Sequence, residues 1–199
     1  LKEYLNAKNC FEKIIKINPN FPDLHNNLGV VFNALKEHQN AINCFEKKIK
    51  INPNHVEAIN NLGSKFQEKK EYQKAISYYE KVIKINPNYI QTLYNLGVIF
   101  QILDEGQKAK SYYEKAIKIN PNYIAANNNL GVIHKELKEY QKAKNYFEKA
   151  IEINPNYIQA ISNLGVTFNK LKEHQKAISC FEKVIKINPN HIDSLNSLA

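Results

Sequence analysis

Apolar side chains recur along this chain at the spacing of amphipathic helices. Ile59, Leu62 and Phe66 are three or four residues apart, so they share one side of a predicted helix that runs from after Pro53 to about Lys69. A second helix is predicted from Tyr72 to Ile85, and its inward side carries Ala75, Ile76, Tyr79, Val82 and Ile83. The pattern therefore predicts a pair of antiparallel helices joined by a short turn.

The same pattern returns every 34 residues without an insertion. The tetrapeptide Ile-Asn-Pro-Asn marks the period, and its copies begin at Ile17, Ile51, Ile85, Ile119, Ile153 and Ile187. A Leu-Gly pair keeps the same register, with its glycines at Gly29, Gly63, Gly97, Gly131 and Gly165. A period in this range indicates stacked supersecondary units rather than one closed globule. Each unit in such an array buries its apolar face against its neighbours.

Further positions repeat in the same register. In the second complete unit a ring, Phe66, follows the glycine, and Ala75, Tyr79 and Pro87 come after it. This period and pattern resemble the tetratricopeptide repeat (TPR) family along the whole chain. The resemblance implies an all-α fold, a right-handed α–α superhelix (solenoid) built from antiparallel helix pairs in 34-residue TPR units.

The repeat sets the expected domain organisation. Five complete TPR units are predicted at residues 22–55, 56–89, 90–123, 124–157 and 158–191. Residues 1–21 are predicted to be the second helix of a truncated repeat, and residues 192–199 the start of another. Repeat arrays normally end in polar capping elements, and neither end has one. We therefore expect a fragment of a longer protein, whose uncapped ends allow end-to-end self-association.

Local signals predict how the helices begin and pack. Asn54 is the expected N-cap of its helix, with Glu57 closing a capping box. Gly63 lies inside a helix, where Gly costs roughly 1 kcal/mol relative to Ala, so we expect two helix backbones to approach closely there. Glu80 and Lys84, like four equivalent pairs, have the i,i+4 spacing that predicts ion pairs along the second helix.

The charge and composition of the chain disfavour some classes of partner. The net charge is +9, and every basic residue is Lys. Bidentate recognition of guanine and phosphate is mainly performed by Arg, so this composition disfavours a nucleic-acid partner. No apolar run approaches the ~18 residues needed to cross a bilayer, and no signal peptide is present. We therefore expect no membrane partner and a cytoplasmic or nuclear location.

No catalytic constellation is recognisable, so we expect neither enzymatic activity in this fragment nor a cofactor or metal site. The histidines are dispersed and mostly replace aromatic residues; His134 stands where other units have a core Phe. Cys10, Cys44 and Cys180 share one register. Equivalent helices of adjacent repeats lie roughly 10 Å apart or more, too far for a disulfide, so buried or partly exposed free thiols are predicted.

Asparagines form the most informative polar pattern. One precedes the Leu-Gly pair in every complete unit, and the residue before it is also mostly Asn. Because Asn is a mediocre helix former, propensity alone does not explain this recurrence. The resemblance to TPR superhelices places this face along a concave groove, where each amide can both donate to and accept from a peptide backbone. The predicted peptide-binding residues are Asn26, Asn27, Asn60, Asn61, Tyr94, Asn95, Asn128, Asn129 and Asn163.

The spacing suits an extended ligand. Repeats stacked at ~10 Å match about three residues of extended chain at ~3.3 Å each. Two alternatives remain open: the amides could bridge neighbouring repeats and hold the superhelix together, or the repetition could reflect duplication alone.

The resemblance also bears on the kind of partner. TPR proteins that bind acidic C-termini use a clamp of Lys, Asn and Arg. The matching positions here hold Asn26, Val30, Asn61, Gln91 and Asn95. A near-neutral groove without a carboxylate clamp is therefore expected. The unbroken asparagine row is similar to the TPR arm of protein O-glycosyltransferases, which feeds protein substrates to a separate catalytic domain.

These observations predict a protein–protein interaction scaffold that binds an extended peptide segment along a concave, Asn-lined groove. One alternative is the substrate-recognition arm of a protein O-glycosyltransferase. Another is binding of nucleic acid or an acidic partner through the Lys-rich second helices, which form the convex face in the resembled family.

Overall fold

The computed structural model describes residues 1–18, 21 and 23–198, and within them the chain forms α-helices and no strand. The predicted all-α class is confirmed. The twelve helices of this described part are α1 (Lys2–Ile17), α2 (Leu24–Ala34), α3 (His38–Ile51), α4 (Val56–Glu68), α5 (Tyr72–Ile85), α6 (Ile90–Ile102), α7 (Gly106–Ile119), α8 (Ile124–Glu136), α9 (Tyr140–Ile153), α10 (Ile158–Lys170), α11 (His174–Ile187) and α12 (Ile192–Leu198).

The chain divides into two compact units, residues 1–99 and 100–199, with α6 extending across the division. In the first unit α2 packs on α3 and α4 on α5, and further contacts join α1 to α2 and α3 to α4. In the second unit α8 packs on α9 and α10 on α11, with contacts that join α7 to α8, α9 to α10 and α11 to α12. Each unit is thus a series of helix pairs packed on their neighbours in sequence.

The pair formed by α4 and α5 illustrates the packing. Leu62, Tyr79 and Val82 are at most 1% exposed, which confirms the predicted inward positions. The Phe66 and Tyr78 rings stack with their centroids 5.4 Å apart. Gly63 contacts Tyr79, and Phe66, three residues further along α4, contacts Tyr78, which precedes Tyr79 in α5. Moving forward along α4 therefore means moving backward along α5, so the two helices run antiparallel.

The recurring helical glycine accommodates an aromatic ring. A Cβ atom placed on Gly63 would lie 2.7 Å from Cε1 of Tyr79, and one on Gly131 would lie 2.5 Å from Cε1 of Phe147. The expected packing reason for glycine is confirmed, but the expectation of a backbone-to-backbone approach is wrong. The neighbour is the buried ring of the second helix, which rests directly on the glycine.

The turn within each pair contains a non-glycine residue in the left-handed region. In the α4–α5 turn Lys70 has φ 61°, and the N–H groups of Lys70 and Glu71 donate to the carbonyls of Gln67 and Phe66. This is the Schellman arrangement that satisfies the last carbonyls of a helix. The equivalent left-handed residues are Lys36, Asp104, Lys138 and Lys172.

The helix N-termini differ from the prediction. The N-cap of α4 is His55, whose Nδ1 accepts from the Ala58 N–H at 3.2 Å, so the predicted Asn54–Glu57 capping box is wrong. Asn54 instead lies in a turn where its N–H donates to the Asn52 side chain at 3.1 Å. The first asparagine of Ile-Asn-Pro-Asn therefore stabilises the turn between repeats, and the same bond recurs in the next four repeats.

The ion pairs also differ from the prediction. None of the five expected i,i+4 Glu–Lys pairs lies within ion-pair distance, although all ten residues are described. Glutamates just before α5, α7, α9 and α11 instead pair with a lysine three residues on, as Glu71 does with Lys74 at 2.5 Å. These pairs form because the glutamate lies at the positive end of the helix dipole, close to a lysine of the first turn. Both side chains are solvent-accessible, so each pair adds little stability.

Candidate peptide-binding surface

The nine predicted binding residues lie on the first helices of the pairs and differ in their burial. Asn26, Asn60 and Asn128 are buried. Asn27 is exposed, and the others are half-buried, namely Asn61, Tyr94, Asn95, Asn129 and Asn163. We call the side chains of Asn27, Asn61, Asn95, Asn129 and Asn163 the amide row.

The buried asparagines connect neighbouring repeats. Oδ1 of Asn60 accepts from the Thr92 hydroxyl at 2.8 Å, and Oδ1 of Asn128 accepts from Nδ2 of Asn163 at 3.3 Å. Oδ1 of Asn26 is buried with no hydrogen-bond partner among the described atoms. Bridging between repeats therefore accounts for Asn60 and Asn128, as the structural alternative anticipates for these positions.

In the first unit a tyrosine hydroxyl holds one member of the amide row. The Tyr79 hydroxyl donates to Oε1 of Gln67 at 2.9 Å and accepts from Nδ2 of Asn95 at 3.1 Å. Nε2 of Gln91 donates to Oδ1 of Asn95 at 3.0 Å. Burial raises the pKa of Tyr79 well above its ordinary value, so the hydroxyl keeps its proton and serves as donor and acceptor at once. The Asn95 amide is thereby fixed in orientation.

The second unit repeats this arrangement at Asn129. The Tyr113 hydroxyl donates to Oε1 of Gln101 at 2.9 Å and accepts from Nδ2 of Asn129 at 3.0 Å. Nδ2 of Asn128 donates to Oδ1 of Asn129 at 3.2 Å. The pattern Gln–Tyr–Asn thus forms the same relay in both units.

At Asn163 the relay is replaced by a lysine. The aromatic residue sixteen positions earlier is Phe147, which has no hydroxyl, and the position of Gln101 is taken by Lys135. Nζ of Lys135 donates directly to Oδ1 of Asn163 at 3.0 Å. Burial lowers the pKa of Lys135, while nearby Glu136 acts in the opposite direction. Lys135 therefore adds a positive charge beside Asn163, at a position outside those compared with the carboxylate clamp.

Asn27 and Asn61 differ from the other members of the amide row. Neither side-chain amide makes a hydrogen bond to another described residue. The ring sixteen positions before Asn61 is Phe45, so no hydroxyl is present to hold the amide. The equivalent of the Asn163–Asn128 bond is also not made, which leaves both Asn61 and the buried Oδ1 of Asn26 unpartnered.

A cavity adjoins the amide row in the second unit. It has a volume of about 450 Å³ and lies at the start of α10, next to Asn163. Gln159, Ser162 and His191 contribute to its wall, so most of its lining is polar. A peptide side chain could enter here beside Asn163.

The sequence analysis singles out the asparagines of the amide row but does not predict which side chains hold them. The signal was present in the residue sixteen positions before each Asn, which is Tyr before Asn95 and Asn129 and Phe before Asn61 and Asn163. Gln67 and Gln101 stand twelve residues before the two tyrosines. The sequence gives no reason to connect these positions, because only the fold shows that their side chains are in contact.

Other singled-out residues have structural roles. His134 is buried, stacks on Tyr146 with a centroid distance of 5.3 Å and pairs with Glu139. The three thiols are free; Cys44 is buried and Cys180 half-buried, but Cys10 is exposed, since no residue of α1 is buried. Burial raises the pKa of Cys44 to about 11. Within the described residues no group of three metal-ligating side chains occurs.

Some lysines of the second helices lie over neighbouring aromatic rings. Nζ of Lys74 lies 5.3 Å from the centroid of Phe66, and Nζ of Lys81 lies 5.0 Å from that of Tyr78. In the second unit Lys108 and Lys115 repeat this geometry over two further rings.

None of the helices in the described residues is long and apolar enough to cross a bilayer.

Family models of the tetratricopeptide repeat match nearly the whole chain. One matches residues 22–55, 56–89, 90–123, 124–157 and 158–191, and a second matches residues 1–21. Among curated proteins none matches this sequence.

Solved structures of similar fold cover almost the entire chain. YrrB, described as a TPR protein with an unusual peptide-binding site, is 23% identical, with 94% of this chain and 97% of that chain covered and a TM-score of 0.75. PilF of Pseudomonas aeruginosa is 20% identical, with 98% and 89% covered and a TM-score of 0.88. The MamA protein is 25% identical, with 84% and 92% covered and a TM-score of 0.72.

Proposed function

Since this chain belongs to the tetratricopeptide repeat family, we propose that it is a protein-interaction scaffold that binds an extended segment of a partner through asparagines of the amide row. TPR structures of similar fold, one of them described with a peptide-binding site, support a protein or peptide partner. The contacting residues are those of the amide row together with Tyr94. The buried Asn26, Asn60 and Asn128 support them from below.

The observation that carries this proposal is the unused hydrogen-bonding capacity of Asn27 and Asn61. Both amides reach solvent, and neither bonds to another described residue. A helix gains nothing from unpartnered asparagine, which is a mediocre helix former. A peptide backbone offers an N–H and a C=O to the same amide.

The remaining members of the amide row contribute by being fixed in advance. Asn95 and Asn129 are held by tyrosine hydroxyls, and Asn163 by Lys135. Each amide still has one N–H and one lone pair that these bonds do not use. Because their orientation is already set, less side-chain entropy is lost when a segment binds.

A matched pair of variants tests the proposal. The double variant Asn27→Ala, Asn61→Ala removes two side-chain amides that bond to no other described residue, so the free energy of unfolding is expected to stay near that of the wild type. The control variant Asn60→Ala removes the acceptor of the buried Thr92 hydroxyl and is expected to destabilise by about 1–3 kcal/mol.

The probe is a displayed library of random dodecapeptides, selected on the wild-type chain. The selected peptides, synthesised and fluorescently labelled, are expected to bind the double variant roughly thirtyfold more weakly, since two hydrogen bonds of ~1 kcal/mol each are lost. The Asn60→Ala variant should bind them as the wild type does at temperatures where it is folded. Selection of no peptide, or equal affinity for the double variant, would refute the proposal.

The other functions have distinguishable consequences. A substrate-recognition arm of a protein O-glycosyltransferase would use the same amide row, so it needs the flanking gene sequence to encode a sugar-nucleotide domain. Binding of nucleic acid through the lysines would require affinity for duplex DNA or RNA that falls steeply with salt. End-to-end self-association, also compatible with the exposed Leu1 and Ile192, predicts a sedimentation coefficient that rises with concentration.

A further inference from the structure

Lys135 is the residue that makes one part of the amide row chemically different from the rest. Its register is occupied by Gln67, Gln101 and Asn169 in other repeats, all of them neutral amides. Lys135 is half-buried, and its Nζ is bonded to Oδ1 of Asn163. A cation thus lies within the row of groups proposed to bind a peptide.

The charge of Lys135 has no counter-ion among the described residues. The fully buried Lys48 and Lys65 pair with Asp23 and Glu68, respectively, as expected for buried ions. No carboxylate lies within 4.0 Å of Lys135, and Glu136, the adjacent residue, forms no ion pair with it. One of the three N–H bonds of the ammonium is used by Asn163, and two remain for water or a ligand.

A peptide laid along Asn129 and Asn163 would remove water from Lys135. Burying an unpaired ion costs several kcal/mol, whereas an ion paired with a hydrogen-bonded carboxylate recovers most of that cost. We propose that Lys135, beside Asn163, is a specificity subsite that selects a carboxylate on the bound segment. The inference rests on the proposed function and adds the charge of the partner to it.

This subsite is separate from the clamp excluded on sequence grounds. The clamp positions, transferred by the 34-residue period to this repeat, fall on Ala125, Asn128, Asn129 and Val132, and none of them is basic. Lys135 lies on the same helix at another register, and it binds through a single cation. The carboxylate can belong to an Asp or Glu side chain or to the C-terminus of the segment, and the experiment below separates the two.

The test compares the peptides selected by three variants from the dodecapeptide library. Lys135→Gln introduces the residue found at positions 67 and 101, Lys135→Arg keeps the charge, and Lys118→Gln removes the same charge from the exposed end of α7. Wild type, Lys135→Arg and Lys118→Gln are expected to enrich one acidic position, and Lys135→Gln to lose that enrichment. A selected acidic peptide should bind Lys135→Gln about tenfold more weakly, the loss expected for one charge-assisted hydrogen bond.

Two peptide changes identify the source of the carboxylate. The first change replaces the acidic side chain of the peptide by its amide, and the second amidates the C-terminus of the peptide. Only the change that removes the bound carboxylate should abolish the difference in peptide affinity between wild type and Lys135→Gln. Peptides that bind the wild type without needing either an acidic side chain or a free C-terminus, or that bind Lys135→Gln as tightly as the wild type, would overturn the subsite and leave the proposed function standing. Selection of no peptide would overturn both.

Discussion

The most direct test of the relay is the variant Tyr79→Phe, which removes one oxygen atom. The hydroxyl donates to Gln67 at 2.9 Å and accepts from Asn95 at 3.1 Å, so the change breaks two hydrogen bonds. The ring itself stays in place, because Phe45 and Phe147 fill the same register over their own glycines. The variant therefore separates the hydroxyl from the packing of the ring.

The expected loss of stability is small. An intramolecular hydrogen bond contributes a net ~1 kcal/mol, and both freed partners here are half-buried, so water can replace the hydroxyl and the total loss should not exceed about 1 kcal/mol. The variant also affects peptide binding. The freed Asn95 side chain must be ordered again when a peptide binds, which costs about 0.5–1.5 kcal/mol. Selected peptides should therefore bind about threefold to tenfold more weakly.

Nuclear magnetic resonance of the Asn95 side-chain amide reports the bond directly. In the wild type its two Nδ2 protons should differ clearly in chemical shift and exchange slowly, and in Tyr79→Phe they should move toward the values of the unpartnered Asn61 amide. The control is Tyr78→Phe, which removes a hydroxyl from the adjacent ring that stacks on Phe66. Unchanged Asn95 signals and unchanged peptide affinity in Tyr79→Phe would refute the relay.

Two further pairs of variants test the packing and the turns. Gly63→Ala should destabilise in thermal unfolding, because the new Cβ would lie 2.7 Å from the buried Tyr79 ring and overpacking costs about 1–3 kcal/mol. Gly106→Ala, with no atom within 4 Å of its Cβ, should instead stabilise by up to about 1 kcal/mol, and equal effects of the two would contradict the argument. Lys70→Gly should raise the urea midpoint by relieving a left-handed residue, worth about 1 kcal/mol. Lys69→Gly, at φ −75°, should give no such gain, and a gain in both would mean that the left-handed strain is not its source.

The sequence predicts the helices well because their signals are local. The second helix from Tyr72 to Ile85 is confirmed at both ends, since the apolar stripe and the following Pro87 act within a few residues. The N-cap is a different case. Ile-Asn-Pro-Asn offers two asparagines with equal capping ability, and the choice depends on whether Asn52 or Asn54 enters the turn between repeats.

The sequence predicts which positions form the candidate surface, but it does not predict how each side chain is held. The five asparagines look equivalent in the sequence, yet only some are engaged within the fold. Whether an amide is held depends on Tyr79 or Phe45 sixteen residues earlier, on another helix. Such a dependence cannot be read from helical periodicity, because it requires knowing which atoms of adjacent repeats meet. The lysine at position 135 was overlooked for the same reason.

The exchange of Tyr and Phe in the rings that contact Gly29, Gly63, Gly131 and Gly165 has a consequence for how such arrays diverge. The codons of these two amino acids differ by a single nucleotide, and the hydrocarbon volume filled by the ring is the same. One point mutation can therefore fasten or release a single amide while the interior of its repeat stays intact. A lineage of duplicated repeats can in this way change its ligand one position at a time, without passing through an unfolded intermediate.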